Sequence, residues 1–326
     1  MRLFDVTRRV PMTVIAPCSV ALDRARQRGI DEFLWRERAI VEPLREEIHS
    51  KSSRAALDHG AGVDERAQEL LTSFRRWSSG TLASRAMVAT DAAVRSTAGE
   101  IMDLPWVPRW MRRLEMSTLD RVNVELGSYE RWAIALDRAL LTTHGAPPST
   151  LMDLAAGSGG FFRFLARSGL ARSRGWSLIA TDIERTYVEQ GARESEREGV
   201  SDQVRCEPRS AVELESLRGT VDLFVCTQAL HHMPPGLVLR VIAGAIRSAP
   251  RGIVLIDLVR GAMLSAMTGL ALSVVARVPF VVWDGVQSVR RAYLPSELVL
   301  LAKLAGAGTV DARWEAPAHQ IVHARQ

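Results

Sequence analysis

The sequence predicts an α/β protein, a doubly wound parallel sheet preceded by an all-helical N-terminal portion. After Pro148, short apolar runs alternate with helical segments, the pattern of a parallel sheet covered by helices. From Asp31 to about Leu141, apolar residues recur instead at spacings of three and four between charged ones. Gly145, Pro147 and Pro148 punctuate the change. The chain therefore divides into residues 1–148, a helical cap that serves as substrate lid or dimerisation region, and residues 149–326, the α/β domain. With 326 residues, 47% of them hydrophobic, a sizeable core can form.

Taken in order, Leu34, Val41, Leu44 and Ile48 make one apolar stripe despite Pro43, and Leu70, Leu71, Phe74 and Trp77 make another. Pro105 and Pro108, around Trp106 and Trp110, mark a break, after which Leu119 to Leu141 reads as one long amphipathic helix. Strands are expected at Leu151–Leu154, Ser177–Thr181, Gln203–Cys206, Leu223–Cys226, Ile253–Asp257, Val310–Trp314 and Gln320–His323. Helices are expected at Phe161–Ser168, Glu184–Glu198, Leu237–Ser248 and Ser296–Ala305. Gly261 to Ala276 carries no charge but falls short of the roughly 20 residues a membrane span needs, so it reads as a buried or lid helix. The apolar stripes of the N-terminal helices must be buried somewhere, and they offer a surface for a homodimer.

Composition excludes several function classes. The net charge of +5 splits into +2 for residues 1–148 and +3 for the remainder, with no basic arm, so nucleic acid is not an expected partner. Only Lys51 and Lys303 are lysines, a bias that a GC-rich bacterial genome explains. Cys18, Cys206 and Cys226 are too few for a disulfide framework, and no CxxC or Cys/His spacing suggests zinc; a cytoplasmic protein without a metal is expected. Arg8 and Arg9 before the run Val10 to Ala21 resemble a short signal peptide, yet Pro11 and Pro17 interrupt the run and Asp5 stands in the basic region.

In a doubly wound sheet the ligand sits at the carboxyl ends of the strands, near the switch in strand order. There the run Leu151-Met152-Asp153-Leu154-Ala155-Ala156-Gly157-Ser158-Gly159-Gly160 places an acid and a Gly-rich turn between strand and helix. A dinucleotide fingerprint would need Gly or Ala where Phe162 stands, which disfavours a pyrophosphate site. The segment resembles motif I of class I S-adenosylmethionine-dependent methyltransferases, D-x-G-x-G-x-G, with Asp153, Gly157 and Gly159 at matching positions and Ala155 replacing the first glycine.

Further residues follow in that family's order. Asp182, before Ile183, stands where the family's acid accepts both ribose hydroxyls, as an ionised carboxylate readily does; a helix N-cap is the structural alternative. Ser210-Ala211 resembles the pair that faces adenine, with Ser in place of the usual Asp. Thr227 and Gln228 open the loop after the fourth strand, which has no NPPY-like sequence of the kind that accepts protein or RNA substrates. Tyr129 and Arg131 take the place of residues that meet the methionine carboxylate; a solvated helix face would also explain Arg131.

Within the superfamily, Asp257-Leu258-Val259-Arg260, Asp284-Gly285, the run Ser288 to Tyr293 and the upstream Arg121-Val122-Asn123 with Gly127 resemble a bacterial group encoded beside type III polyketide synthases. That resemblance implies secondary metabolism, with S-adenosylmethionine as donor, S-adenosylhomocysteine as by-product and a small aromatic or polyketide-like acceptor methylated on oxygen. C-methylation of a quinone or prenyl substrate and a non-catalytic binding protein are the competing readings, the latter motivated by Ala155 and Ser210. His231 and His232 are candidate bases, since an imidazole near neutrality could take a phenolic proton. Arg260, Asp284, Arg291 and Tyr293, in the stretch expected to return over the pocket, are candidates to hold the acceptor.

Overall fold

A computed structural model describes residues 23–24, 26–49, 60–77, 82–141, 150–315 and 318–326. The signal-peptide-like run, Cys18, Lys51 and the linker around Pro147 and Pro148 lie outside these residues. Among them, one sheet is formed by β1 (Thr150–Leu154), β2 (Ser177–Asp182), β3 (Val204–Pro208), β4 (Leu223–Thr227), β5 (Ile253–Leu258), β6 (Thr309–Glu315) and β7 (His319–Arg325). Their order is β3-β2-β1-β4-β5-β7-β6. The first five strands are parallel, and β7 joins antiparallel to both β5 and β6. The order reverses between β1 and β4, so a crevice opens there at the carboxyl ends of the strands.

Side chains alternate between two cores with the period of a strand. Met152, Phe224, Cys226, Ile253 and Leu255 enter one core, and Leu151, Leu223, Val225, Val254 and Ile256 the other. Each fully buried side chain of this size stabilises the fold by about 1.5–3 kcal/mol. The first core is completed by apolar faces from α1 (Ile30–Arg36), α2 (Arg38–His49) and α3 (Gly60–Trp77). The stripes Val41, Leu44, Ile48 and Leu70, Leu71, Phe74 therefore find their cover within the chain itself.

Beyond α4 (Leu82–Val94) the chain enters α5 (Arg109–Glu125) and α6 (Ser128–Leu141). These two replace the single helix expected over Leu119 to Leu141. Gly127 takes a φ of 64°, a left-handed conformation that ends α5 with its N–H on the Val124 carbonyl. After β1 come α7 (Gly160–Arg167) and α8 (Leu170–Arg174), and after β2 comes α9 (Arg185–Arg197). After β4 comes α10 (Pro235–Ser248), and after β5 come α11 (Ala262–Val275), α12 (Pro279–Arg291) and α13 (Pro295–Leu304). The uncharged run after Gly261 thus becomes α11, whose 14 residues reach about 21 Å. No described helix is long and apolar enough to cross a membrane.

Candidate active site

The crevice deepens into a cavity of about 730 Å3, roofed by α5, α6, α11 and α12 over the ends of β1, β2, β4 and β5. One end is built from short-range turns. The backbone leaves β1 through Ala155 at φ 52°, then Gly157 at 58° and Gly159 at 70°. Ala155 therefore takes the left-handed conformation that glycine would adopt freely, at a cost of about 1 kcal/mol or more. Gly159 starts α7, and a Cβ there would lie 2.9 Å from Ala180. No substituent is tolerated at that approach.

Asp182 terminates β2 and is only 8% exposed. Its Oδ2 accepts from the Gly157 amide at 2.9 Å and its Oδ1 from the Glu184 amide at 2.8 Å. It braces the turn rather than capping the helix, because Glu184 is the residue that caps α9, accepting from the Thr186 amide. Burial raises the Asp182 pKa, with the two amides working the other way. Asp153 lies under the turn and accepts from the Thr227 hydroxyl at 3.2 and 3.1 Å, and burial pushes its pKa up to about 8.

Tyr129 and Arg131 line the same cavity from α6. The Tyr129 hydroxyl donates to Asp120 at 2.6 Å, and burial beside that carboxylate keeps the phenol protonated. Arg131 donates to the Leu126 carbonyl at 2.9 Å and to the Ser128 hydroxyl at 3.3 Å. Asp120 also meets Arg163 at 2.5 Å, and Arg163 in turn pairs with Glu194 at 2.6 Å and Glu198 at 3.3 Å. This buried network fastens α5 across the Gly-rich turn. Neither Asp120 nor Arg163 stands out in the sequence, because their partners are brought together from α5, α7 and α9.

The opposite end is an assembly of distant segments. His231 follows β4, is 6% exposed, and directs Nδ1 to Asp257 Oδ1 at 2.7 Å, while its backbone amide donates to Asp257 Oδ2 at 3.0 Å. With Asp257 accepting at Nδ1, the neutral ring carries its lone pair on Nε2, which lies 3.7 Å from Glu100. His232, at the cavity wall, places Nδ1 on Asp103 at 3.0 Å and Nε2 at 3.6 Å from Glu100. Burial opposes its charge, but Glu100 and Asp103 prevail and lift its pKa to about 9. It is therefore an imidazolium at neutral pH.

Four carboxylates surround these rings. Asp284 accepts from the amides of Ile101 at 2.7 Å and Met102 at 3.2 Å, and Glu100 accepts from the Ser288 hydroxyl at 2.8 Å. Asp103 is held well below the usual carboxylate range: burial raises it, but His232 and Arg291 outweigh that. Glu115 is 3% exposed with no partner for Oε2; burial, reinforced by Asp284 and Glu100, lifts it to about 8. Met116, Leu119, Met267, Ala271 and Leu272 supply apolar walls.

The structure brings Tyr129, Arg131, Asp153, Ala155, Gly157, Ser158, Asp182, Ile183, Thr227, Gln228, His231, His232 and Asp284 around one cavity. Gly159, Ser210, Ala211, Arg260, Arg291 and Tyr293 do not line it. Arg260 is buried between Asp91 at 2.7 Å and Glu297 at 3.0 Å, where its charge is already matched. Tyr293 donates to the Met233 carbonyl at 2.7 Å. Arg291 pairs with Asp103 at 2.8 Å, so it acts on the cavity through that carboxylate. Glu100, Asp103, Glu115 and Asp257 are the residues that reading the sequence for chemistry left without a role.

Residues 151–252 match a family model described as a methyltransferase domain. The match lies within the α/β unit, from the start of β1 to the turn before β5. No curated protein matches the sequence. Among solved structures, human N-acetylserotonin methyltransferase in complex with S-adenosylmethionine is 17% identical, with a TM-score of 0.51 over 76% of this chain and 68% of that one. Magnesium protoporphyrin IX methyltransferase from Synechocystis, with bound S-adenosylhomocysteine, is 15% identical over 64% and 84%, at a TM-score of 0.41. A provisionally named sarcosine dimethylglycine methyltransferase from Galdieria sulphuraria is 24% identical, with a TM-score of 0.33, over 40% of this chain. The chain spans less than half, 46%, of the Galdieria protein. At these identities the likeness is one of fold.

Proposed function

We propose that the protein is a cytoplasmic methyltransferase that uses S-adenosylmethionine to methylate an oxygen of a small aromatic or polyketide-like acceptor. The observation that carries this reading is the pairing of His231, backed by Asp257, with a buried Asp182 in one cavity. Asp182 keeps lone pairs for two ribose hydroxyls while its amide contacts fix its position. Gly157 lets the backbone approach the donor closely, and Tyr129 and Arg131 face the position of its amino-acid portion. When bound, the donor supplies an electrophilic methyl carbon on a sulfonium. His231, with Nδ1 held by Asp257, would take the acceptor's O–H proton at Nε2 as the acceptor oxygen is methylated and the donor departs as a neutral thioether.

Most of the rate would come from alignment. Orientation can supply about 7–11 kcal/mol, whereas a general base typically adds about 10²–10⁴-fold. The apolar walls from α5 and α11 suit a flat or extended acceptor and keep water out. Asp284 presents a carboxylate to it, and the His232 imidazolium can hold the developing oxyanion.

Calorimetry with S-adenosylmethionine tests the cofactor site. Micromolar binding is expected in the native chain, and Asp182→Ala should weaken it by about 100-fold, the effect of losing two hydrogen bonds to a charged acceptor. A folded protein that does not bind would favour the non-catalytic reading. Product analysis by NMR separates O-methylation from C-methylation of a quinone or prenyl acceptor.

A further inference from the structure

Two imidazole nitrogens and one carboxylate converge at the acceptor end of the cavity. One ring nitrogen each of His231 and His232 and an oxygen of Glu100 all lie within 4.8 Å of one another. His231 Nε2 stands 3.7 Å from Glu100 Oε1, and His232 Nε2 stands 3.6 Å from Glu100 Oε2. Ligand atoms about 2.1 Å from a tetrahedral ion stand about 3.4 Å apart, so an ion fits between them with only small movements. We propose that Glu100, His231 and His232 form a binding site for a divalent transition-metal ion of the Zn2+ or Co2+ type, with its open positions facing the cavity.

The surroundings support a built site. Each imidazole is oriented from behind by its own carboxylate, Asp257 on His231 Nδ1 and Asp103 on His232 Nδ1. That arrangement fixes each ring with Nε2 toward the ion, which on His232 displaces the proton of the imidazolium. Ser288 steadies Glu100 by donating to Oε1 at 2.8 Å. Glu115, buried with Oε2 unpartnered, and Asp284 line the same end and place further carboxyl oxygens beside the ion. Imidazole and carboxylate ligands suit borderline metals, whereas Mg2+ and Ca2+ prefer oxygen alone.

Occupancy has a consequence for turnover that rests on the methyl-transfer reading. An ion on His231 Nε2 takes the lone pair that would receive the acceptor's proton, so metal and proton transfer compete for one atom. The site is then an inhibitory one, filled when metal is abundant and cleared by chelation.

The test separates binding from activity. The full chain, stripped with EDTA and dialysed, is titrated with CoCl2 and with ZnCl2 at pH 8, following visible ligand-field bands for cobalt and heat for zinc. One ion per chain is expected, with Asp257→Asn weakening binding by about 10–100-fold and Glu100→Gln or His232→Ala by at least as much. Thermal melts and S-adenosylmethionine calorimetry on each variant establish that it is folded. No saturable binding to the native chain, or binding that survives in folded Glu100→Gln and His232→Ala, overturns the site. Inactivity toward every acceptor would refute the methyl-transfer reading and leave this titration readable. Metal binding without inhibition of an active enzyme would overturn only the competition.

Discussion

At one end of the cavity, a turn of six residues and the last residue of β2 settle the geometry among themselves. Asp182 and the Gly157 amide lie on adjacent strands' ends, and their hydrogen bond forms as soon as β1 and β2 pair. At the other end, Glu100, Glu115, His231, Asp257 and Asp284 come from five separate segments and meet only when α5 and α12 have closed over the sheet. Local turns set the first end, with the Asp120–Arg163 pair fastening α5 over them, whereas the second end depends on contacts between distant segments. On the proposed reading the first would hold the donor, and the second could be rebuilt for a new acceptor without disturbing the fold.

The sharpest way to break that contrast is His231→Ala. We expect turnover to fall by about 10²–10⁴-fold while S-adenosylmethionine affinity, read by calorimetry, stays as in the native chain. A matching loss of affinity would show that the two ends are not separable. Unchanged turnover would remove His231 as the base.

A smaller effect is expected at Glu115. The folded protein holds this proton up to about 8, whereas the ordinary value is 4.5. A group with a raised carboxyl pKa lowers stability as pH climbs from about 4.5 to 8, by up to about 1.4 kcal/mol per pH unit. Glu115→Gln is neutral throughout and should therefore be more stable than the native chain at pH 8, by on the order of 2 kcal/mol, with little difference near pH 4. Melting temperatures across that range give the answer; a constant offset would mean that the native carboxyl does not titrate late.

The smallest effect belongs to the donor end. Glycine at position 155 relieves a left-handed alanine, so Ala155→Gly should raise stability by about 0.5–1 kcal/mol in a denaturant titration and leave cofactor affinity within about twofold. Destabilisation would show that the Ala155 methyl is held by packing that outweighs the strain.

The same contrast explains what could be read in the sequence. The strands were legible within one or two residues, because a buried strand writes its apolar run in consecutive positions. Asp153, Gly157 and Asp182 were legible as a group through the resemblance to a methyltransferase motif, and the structure brings them around one cavity. The helix break at Gly127 was missed because Leu119 to Leu141 keeps one apolar periodicity through it, and a single glycine can sit inside a helix at modest cost. Glu100, Asp103 and Glu115 look like ordinary charges of a solvated helical region, and only tertiary contact distinguishes them. Arg260 shows the reverse error: it follows β5 as expected, but Asp91 and Glu297 claim it before any acceptor could.

The N-terminal helices have a consequence for how the chain is made. Arg45 donates to the Lys303 carbonyl at 3.1 Å, Arg75 pairs with Glu297 at 2.5 Å, and Phe33 and Phe74 bury in the core that α10 and α13 complete. The apolar stripes of α1 to α3 therefore wait for α13, which follows them far along the chain, 222 residues on in the case of Arg75 and Glu297. During that interval Phe33, Leu44, Leu70 and Phe74 have little native cover beyond one another, as where Phe33 meets Phe74 at 5.1 Å, and long-range contacts of this kind slow folding. Production of soluble protein should thus depend on translation speed and chaperone supply more than the modest size of the chain suggests.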